Sequence, residues 1–389
     1  MNVKKLVEGF KLDPAKAAEG LADGLKQNHI RPSEFNATEL FIECFGYDEF
    51  KHYRAHDNYT TAQVLREAGP VMTSSFQNIS QQFLAADFMK AYSIPTAVFT
   101  QLIPTVKTTR KYERIAGITH VGDEADVVEE GKSYPLVGVS EDWTDTPEVK
   151  KRGKIAQITK ETIIFDETGK VVEHCKYLGK WLGVNQEKRA IDCIIDGNTT
   201  AHRYNWQGTV YASYVDTPWD NLAASNALAD ETDLDNAYQL LQAIEDPVTG
   251  EPQDVTVKHL VVPVGLYNKA LYALAPQVRA TIGGFATSGD PKQMEINNPV
   301  LAKMGGAPMV ISTQLLNKRH TAASIANTSW YLGDLTQYAE WREVWPTTFA
   351  TFGTMGQLEF QQDIVQQFKA SQMGAYRVKN PRRVVKNTA

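Results

Sequence analysis

Residues Lys150 to Lys170 read KKRGKIAQITKETIIFDETGK, and their reading decides the fold. A basic, glycine-broken turn leads into an alternating strand. The strand stops at Phe165-Asp166, and a helical pattern follows. Gly153 is read as the turn. Ile155, Ile158 and Ile163 are read as returning the chain to a core, with Phe165 closing the return. Asp166 or Thr168 supplies a cap for the helix. Val171, Cys175, Leu178, Leu182, Ala190, Ile191 and Ile194 then form a broad apolar stripe. A continuous helix from Thr168 to Ile195 spans about 40 Å at 1.5 Å per residue. Gly179 and Gly183 inside it mark close helix packing or a bend.

The segment upstream has the opposite character. Between Thr119 and Lys150 stand Asp123, Glu124, Asp126, Glu129, Glu130, Glu141, Asp142, Asp145 and Glu148, answered inside the segment only by Lys132 and Lys150. YPLVGVSEDW and KIAQIT have strand character, so the segment is expected to be a long two-stranded excursion. Such a ribbon is marginal alone in water, and its edges invite pairing. Acids this dense repel one another, and a positive surface on another chain relieves that repulsion. Lys150 to Lys170 therefore joins a charged ribbon to a rigid rod.

Further out, residues 1–31 carry short amphipathic helices, with Asp13-Pro14 as a helix start. Residues 76–92 are a helix with Phe76, Ile79, Phe83, Leu84 and Phe88 inward. Residues 105–118 form a strand, and 196–217 a polar aromatic linker. WDNLAASNALADETDLDNAYQLLQAI is read as helix, turn and helix; KHLVVPVGLYNKALYAL as a buried strand and a helix; APMVISTQLL as a strand. Gly283, Gly284 and Gly289 lie in a flexible loop. Trp330, Tyr331, Leu332, Tyr338 and Trp341 are core or interface anchors. Two final strands, Leu358 to Phe368 and Ala375 to Val378, meet at a turn at Met373-Gly374. The terminus is basic, with Lys369, Arg377, Lys379, Arg382, Arg383 and Lys386 and no acid after Asp363.

The composition is that of an ordinary folded chain: 389 residues, 42% hydrophobic, 22% charged, net charge −6. That balance does not make the whole chain a polyanion binder. Cys44, Cys175 and Cys193 are too far apart in sequence for a metal or disulfide framework. No signal peptide or 18-residue apolar run is present, which points to synthesis in a cytoplasm and to no membrane partner. His52 and His56 lack the partners that complete a metal geometry. GGFATSG lacks the lysine and glycine spacing of a nucleotide loop, and no HExxH, GxSxG or calcium-loop pattern occurs. His174 and Cys175 are adjacent and point to different sides of a helix. Glu231, Asp233 and Asp235 are read as capping or loop acids. Catalytic, cofactor and metal residues are all read as none.

The order of elements resembles one family. Lys151-Arg152-Gly153-Lys154 with Ile155 to Thr159, Phe165-Asp166 and the long helix are followed near the end by Trp330-Tyr331-Leu332-Gly333-Asp334. Phe360, Asp363 and the Arg377 to Val385 strand complete the series. This is similar to the major capsid protein of tailed bacteriophages, the Hong Kong 97-type fold, over roughly residues 76–389.

The resemblance implies an α+β capsid fold. It makes 1–75 an N-terminal arm with additions, 76–118 the start of a peripheral domain, and 119–154 the extended E-loop. It makes 155–219 the peripheral domain with its spine helix, 220–316 an α/β axial domain, and 317–389 the return strands. Glu129, Glu130, Lys132, Trp143, Lys150, Lys151, Arg152, Arg377, Arg382 and Arg383 become candidate contacts between copies, and Gly283, Gly284 and Gly289 a loop at the capsomer axis. The sequence starts at Met1, so the N-terminal region is expected to be kept as an arm. The implied function is assembly through pentamers and hexamers into an icosahedral head in the host cytoplasm. The shell holds double-stranded DNA through non-specific contact, and portal, scaffold or decoration proteins are further partners. An encapsulin-like nanocompartment is the alternative within shell proteins. An α/β enzyme using the Gly283–Gly289 loop is the alternative from another class.

Overall fold

The computed structural model describes residues 97–117, 127–133, 143–159, 170–197, 204–246, 254–275, 277–280, 293–296, 298–353 and 364–389, with shorter pieces of the N-terminal region and a few single residues. The helices are α1 (Pro14–Lys26), α2 (Phe99–Leu102), α3 (Lys170–Ile195), α4 (Glu231–Ala243), α5 (Tyr267–Leu274), α6 (Pro299–Lys303), α7 (Gln314–Ala322) and α8 (Leu335–Tyr338). The strands are β1 (Thr105–Lys107), β2 (Arg114–Ala116), β3 (Trp143–Asp145), β4 (Lys150–Thr159), β5 (Tyr204–Trp206), β6 (Thr209–Tyr211), β7 (Leu222–Ala223) and β8 (His259–Val261). They continue with β9 (Gln277–Ala280), β10 (Gln293–Ile296), β11 (Met309–Ile311), β12 (Trp330–Gly333), β13 (Ala339–Gly353), β14 (Ile364–Val378) and β15 (Val384–Asn387).

The chain divides into two compact units. The first takes Met1–Ala97, Lys151–Gln186 and Trp345–Met373. Its core packs Phe88, Leu178, Leu182 and Ala370 against Tyr92, Ala156, Trp181 and Phe349. Phe349 lies 5.0 Å from Phe88 and 5.8 Å from Phe368, ring centre to ring centre. Of the two readings for Gly179, close packing or a bend, the structure shows close packing: a Cβ there would meet the Phe88 carbonyl oxygen at 2.5 Å.

Gly153 is not a turn. It sits inside the ten-residue strand β4, which lies beside β14. A Cβ at Gly153 would come within 2.4 Å of the Ala370 carbonyl oxygen, so the glycine serves close approach of two backbones. The phase of the strand also differs from the reading: Ile155 is 58% exposed, and its neighbour Ala156 packs on the core. Phe165, Asp166 and Thr168 lie outside the described residues.

The second unit takes Val98–Lys150, Glu187–Val344 and Gly374–Ala389. A mixed five-stranded sheet runs β11-β8-β12-β15-β7, so the last strand of the chain is an inner strand beside Trp330–Gly333. Helices α4, α5 and α7 bury Leu234, Ala237, Leu241, Ala270, Ala273 and Leu316 in the same core. Trp330, Tyr331, Leu332, Tyr338 and Trp341 are all buried there, as core residues. Asp233 caps α4 by accepting from Ala229 N and Asp230 N, and Asp235 pairs with Lys303. A second sheet, β2-β3-β5-β6, a ribbon of β9 with β10, and the parallel pairing of β1 with the start of β13 also belong to the unit. The loop carrying Gly283, Gly284 and Gly289 falls between the legs of that ribbon, outside the described residues.

Helix α3 runs for 26 residues, about 39 Å, close to the expected bounds. Its Glu187 carboxylate accepts from Phe99 N at 3.0 Å, Thr100 N at 2.9 Å and Thr100 Oγ1 at 2.6 Å, satisfying the first turn of α2.

Four other expectations are corrected. The 105–118 strand is two strands, β1 and β2, in different sheets. The 196–217 linker contains the hairpin of β5 and β6, turned by Gln207 and Gly208, both at positive φ. The first helix expected in 219–228 is absent, and a short strand, β7, stands there. Finally, β14 runs unbroken through Met373-Gly374. Gly374 there makes room for Trp341, whose ring atoms would stand 2.1 Å from a Cβ.

Candidate assembly surface: a rooted hairpin and a basic cleft

The acidic excursion begins earlier than its charges indicate. Its legs are already joined at Lys111, whose carbonyl oxygen accepts from Val149 N at 2.9 Å. Glu113 and Thr146 bond each other in both directions: Thr146 N donates to Glu113 O at 2.9 Å, and Glu113 N to Thr146 Oγ1 at 2.8 Å. Antiparallel pairing follows, Arg114 with Asp145 and Ala116 with Trp143. The β5–β6 hairpin extends this sheet by pairing with β3.

Side chains lock the root. The Arg114 guanidinium lies 3.6 Å over the Trp143 ring and bonds Asp145 at 3.2 Å. Lys111 Nζ reaches Glu148 at 2.5 Å. That bond raises the lysine's pKa and lowers the glutamate's. Two acids of the excursion are thus answered by cations of the preceding segment, which the sequence reading did not pair with them.

Beyond the root, Val127 to Ser133 are described and largely exposed. Val127 is 96% exposed, which forgoes the roughly 1.5–3 kcal/mol that a buried valine contributes. Lys132 N bonds Glu129 O at 3.1 Å across a turn with Gly131 at φ 82°, and Lys132 Nζ reaches Glu129 at 2.6 Å. Glu130 is exposed on that turn. The hairpin is therefore firmly anchored at its root, while its turn meets only itself among the described residues.

At the foot of the hairpin lies a cleft of about 710 Å³. Its floor is an ion network: Arg377 Nε bonds Glu340 at 2.6 Å, Arg342 reaches the same carboxylate at 3.4 Å, and Arg342 also pairs with Glu113. Burial lowers the Arg342 pKa, with Arg377 adding repulsion. Lys107, Arg110 and Lys379 stand exposed on the rim, and Val106, Ile115 and Val344 supply apolar lining. The cleft holds five cations against two carboxylates. Lys107 and Arg110 were missed by the sequence reading; the signal was the basic run Lys107, Arg110, Lys111 and Arg114 just ahead of the acids.

The basic terminus is not a solvated tail. Arg377 is buried on Glu340. Arg382 is 0% exposed and bonds Asp246 at 3.1 Å. Arg383 donates to the Asp254 carbonyl oxygen at 3.1 Å. These cations are engaged inside their own chain because the chain's end is built into the sheet. Of the other predicted contacts, Lys132 closes its own turn and Trp143 holds the root. Lys150 and Lys151 are exposed, Lys151 lying 5.7 Å from the Trp345 ring centre, and Arg152 is half-buried. No group of three or more His, Cys, Asp or Glu able to hold a metal occurs among the described residues. No helix among them is long and apolar enough to cross a membrane.

An α+β build with a long helix, long paired strands and a hairpin locked at its root defines the class: a Hong Kong 97-type capsid subunit, a structural, shell-forming protein. The chain belongs to the phage capsid protein family, which it matches over residues 143–387. Among solved structures it is similar to the virus-like particle from Pyrococcus furiosus, at 14% identity and TM-score 0.43, covering 79% of this chain and 99% of that one. It is also similar to Microbacterium phage Oxtober96, at 11% identity and TM-score 0.45, covering 75% and 90%. The capsid of Cyanophage P-SCSP1u follows at 12% identity and TM-score 0.42, covering 74% and 85%. No curated protein matches the sequence.

Proposed function

We propose that the chain assembles through rings of five and six copies into the icosahedral head of a tailed phage, enclosing double-stranded DNA. In this reading the hairpin rising from Lys111 and Val149 is the E-loop, α3 the spine helix of the peripheral domain, and the five-stranded sheet with α4, α5 and α7 the axial domain. Each hairpin lies across an adjacent copy. Such contacts are individually weak, and they become strong when one chain engages several neighbours at once. Portal, scaffold or decoration proteins join the shell in the host cytoplasm.

The observation that carries this reading is the contrast within one hairpin. Its root is held by backbone pairing, a cation–π contact and ion pairs, while Val127 and Glu130 stand in solvent. Negative-stain images of the purified chain, with nuclease-protected DNA assayed in the same particles, test it. Closed particles tens of nanometres across containing DNA are expected in a phage lysate. A persistent monomer overturns the reading, and closed particles holding protein cargo without genome replace it with a nanocompartment.

A further inference from the structure

We infer that the basic cleft at the hairpin's foot is the receptor for the turn Val127–Glu130 of a second copy. The inference rests on the assembly reading above and specifies where on the neighbour the hairpin lands.

Charge comes first. Glu113 and Glu340 are already bonded to Arg342 and Arg377 on the cleft floor. The rim cations Lys107 and Lys379 have no ion-pair partner among the described residues, and Arg110 has only a 3.9 Å approach to Glu113. The cleft therefore presents net positive charge over a neutralised floor. The chain's own excursion supplies the complement: Glu129 and Glu130 stand on its exposed turn, and the sequence just ahead of it carries Asp123, Glu124 and Asp126. Opposite charge on two surfaces of one chain favours a head-to-tail contact between copies.

Shape and polarity agree. Val106, Ile115 and Val344 give the cleft an apolar wall, and Val127, three residues before Glu130, is an exposed apolar side chain with the right chemistry to cover it. None of residues 127–133 lines the cleft of its own chain. A volume of about 710 Å³ suits a few side chains. A DNA duplex is better served by a broad basic stripe, and the chain's net charge of −6 opposes it.

Two measurements test this. First, Arg110→Glu and Glu130→Lys are made singly and together in the full chain, and the protein concentration needed for shells is read by light scattering. Each single reversal should raise it about 5-fold, and the swapped pair should return it to within about 2-fold of the parent. Additive losses in the double variant overturn the pairing. Second, a photo-crosslinker is attached at Val127→Cys, and its adducts in assembled shells are mapped by mass spectrometry. Adducts at 106–110, 344 or 379 of another copy are expected. Adducts on a different surface of another copy overturn the cleft but leave the gripping hairpin standing. Adducts confined to the same chain overturn both. If Arg110→Glu leaves assembly unchanged but lowers DNA retention, the cleft is a nucleic-acid contact and the inference fails.

Discussion

Replacing Asp246 by asparagine separates a folded-core role for the basic terminus from a surface role. Arg382 and Asp246 are both fully buried, and the guanidinium Nη1 sits 3.1 Å from the carboxylate. Asn380 Oδ1 accepts from Arg382 N at 3.1 Å and from Nε at 3.4 Å, so the side chain is fixed at both ends. Burial alone lowers the arginine pKa, and the Asp246 bond pulls it back up. Asp246→Asn keeps the shape and removes the countercharge. Stripping one partner from a buried pair costs about 3–5 kcal/mol, because the remaining charge stays desolvated. At about 2–4 °C per kcal/mol for a unit of this size, the melting temperature should fall by about 6–20 °C. Circular dichroism of the full chain, dilute enough to stay unassembled, measures it. Arg382→Met should cost a comparable amount at neutral pH but less in acid, since Asp246 can take up a proton and an arginine cannot release one. The variant carrying both Asp246→Leu and Arg382→Met should lose less than the two single variants together. If Asp246→Asn melts within about 2 °C of the parent while Arg382→Met impairs only shell formation, the arginine works at a surface and the buried-pair argument is wrong.

Three further outcomes follow from the same unit. Gly374→Ala drives a methyl group toward Trp341, whose ring is held by Tyr376 at 4.6 Å and Arg189 at 5.1 Å; a loss of about 1–3 kcal/mol is expected in chemical denaturation, with changed tryptophan fluorescence. His320 is buried with Tyr331 and its pKa is pushed down to about 4 by desolvation, with Lys386 adding to it. Between pH of about 6.5 and 4 the unfolded chain binds that proton and the folded chain does not, so stability should fall with pH across that window and stay flat above it; His320→Gln should flatten the slope, and an unchanged slope refutes the assignment. Glu187→Gln weakens the charged cap on α2 and should cost about 1 kcal/mol, read as a melting shift of a few degrees.

Legibility in the sequence tracked how local each signal is. The helix Lys170–Ile195 was readable because its stripe repeats over seven turns, and the Trp330 segment because consecutive large apolar residues have few other places to go. Alternation in β4 announced a strand but not which face turns inward; a one-residue change of phase puts Ala156 on the core and Ile155 in water. Glycine was read twice as a turn, because a turn and a close backbone approach leave the same local mark. Only the facing residues, Ala370 for Gly153 and Trp341 for Gly374, distinguish them.

The pairing of the basic terminus within its own chain was hidden for a related reason. The carboxylates that hold Arg377 and Arg382 lie 37 and 136 residues earlier, so a window along the chain registers uncompensated charge where the fold has none. The acidic excursion shows the converse. Its imbalance was misread at its ends, where Lys111 and Arg114 cross the hairpin to Glu148 and Asp145. Glu130 on the turn, and Lys107 and Lys379 on the rim, are among the charges that the fold leaves exposed. Charges neutralised within the chain add little to association, whereas those left over steer it and set its partner. The contact between copies should therefore be sought at this remainder, opposite in sign at the two ends of one hairpin.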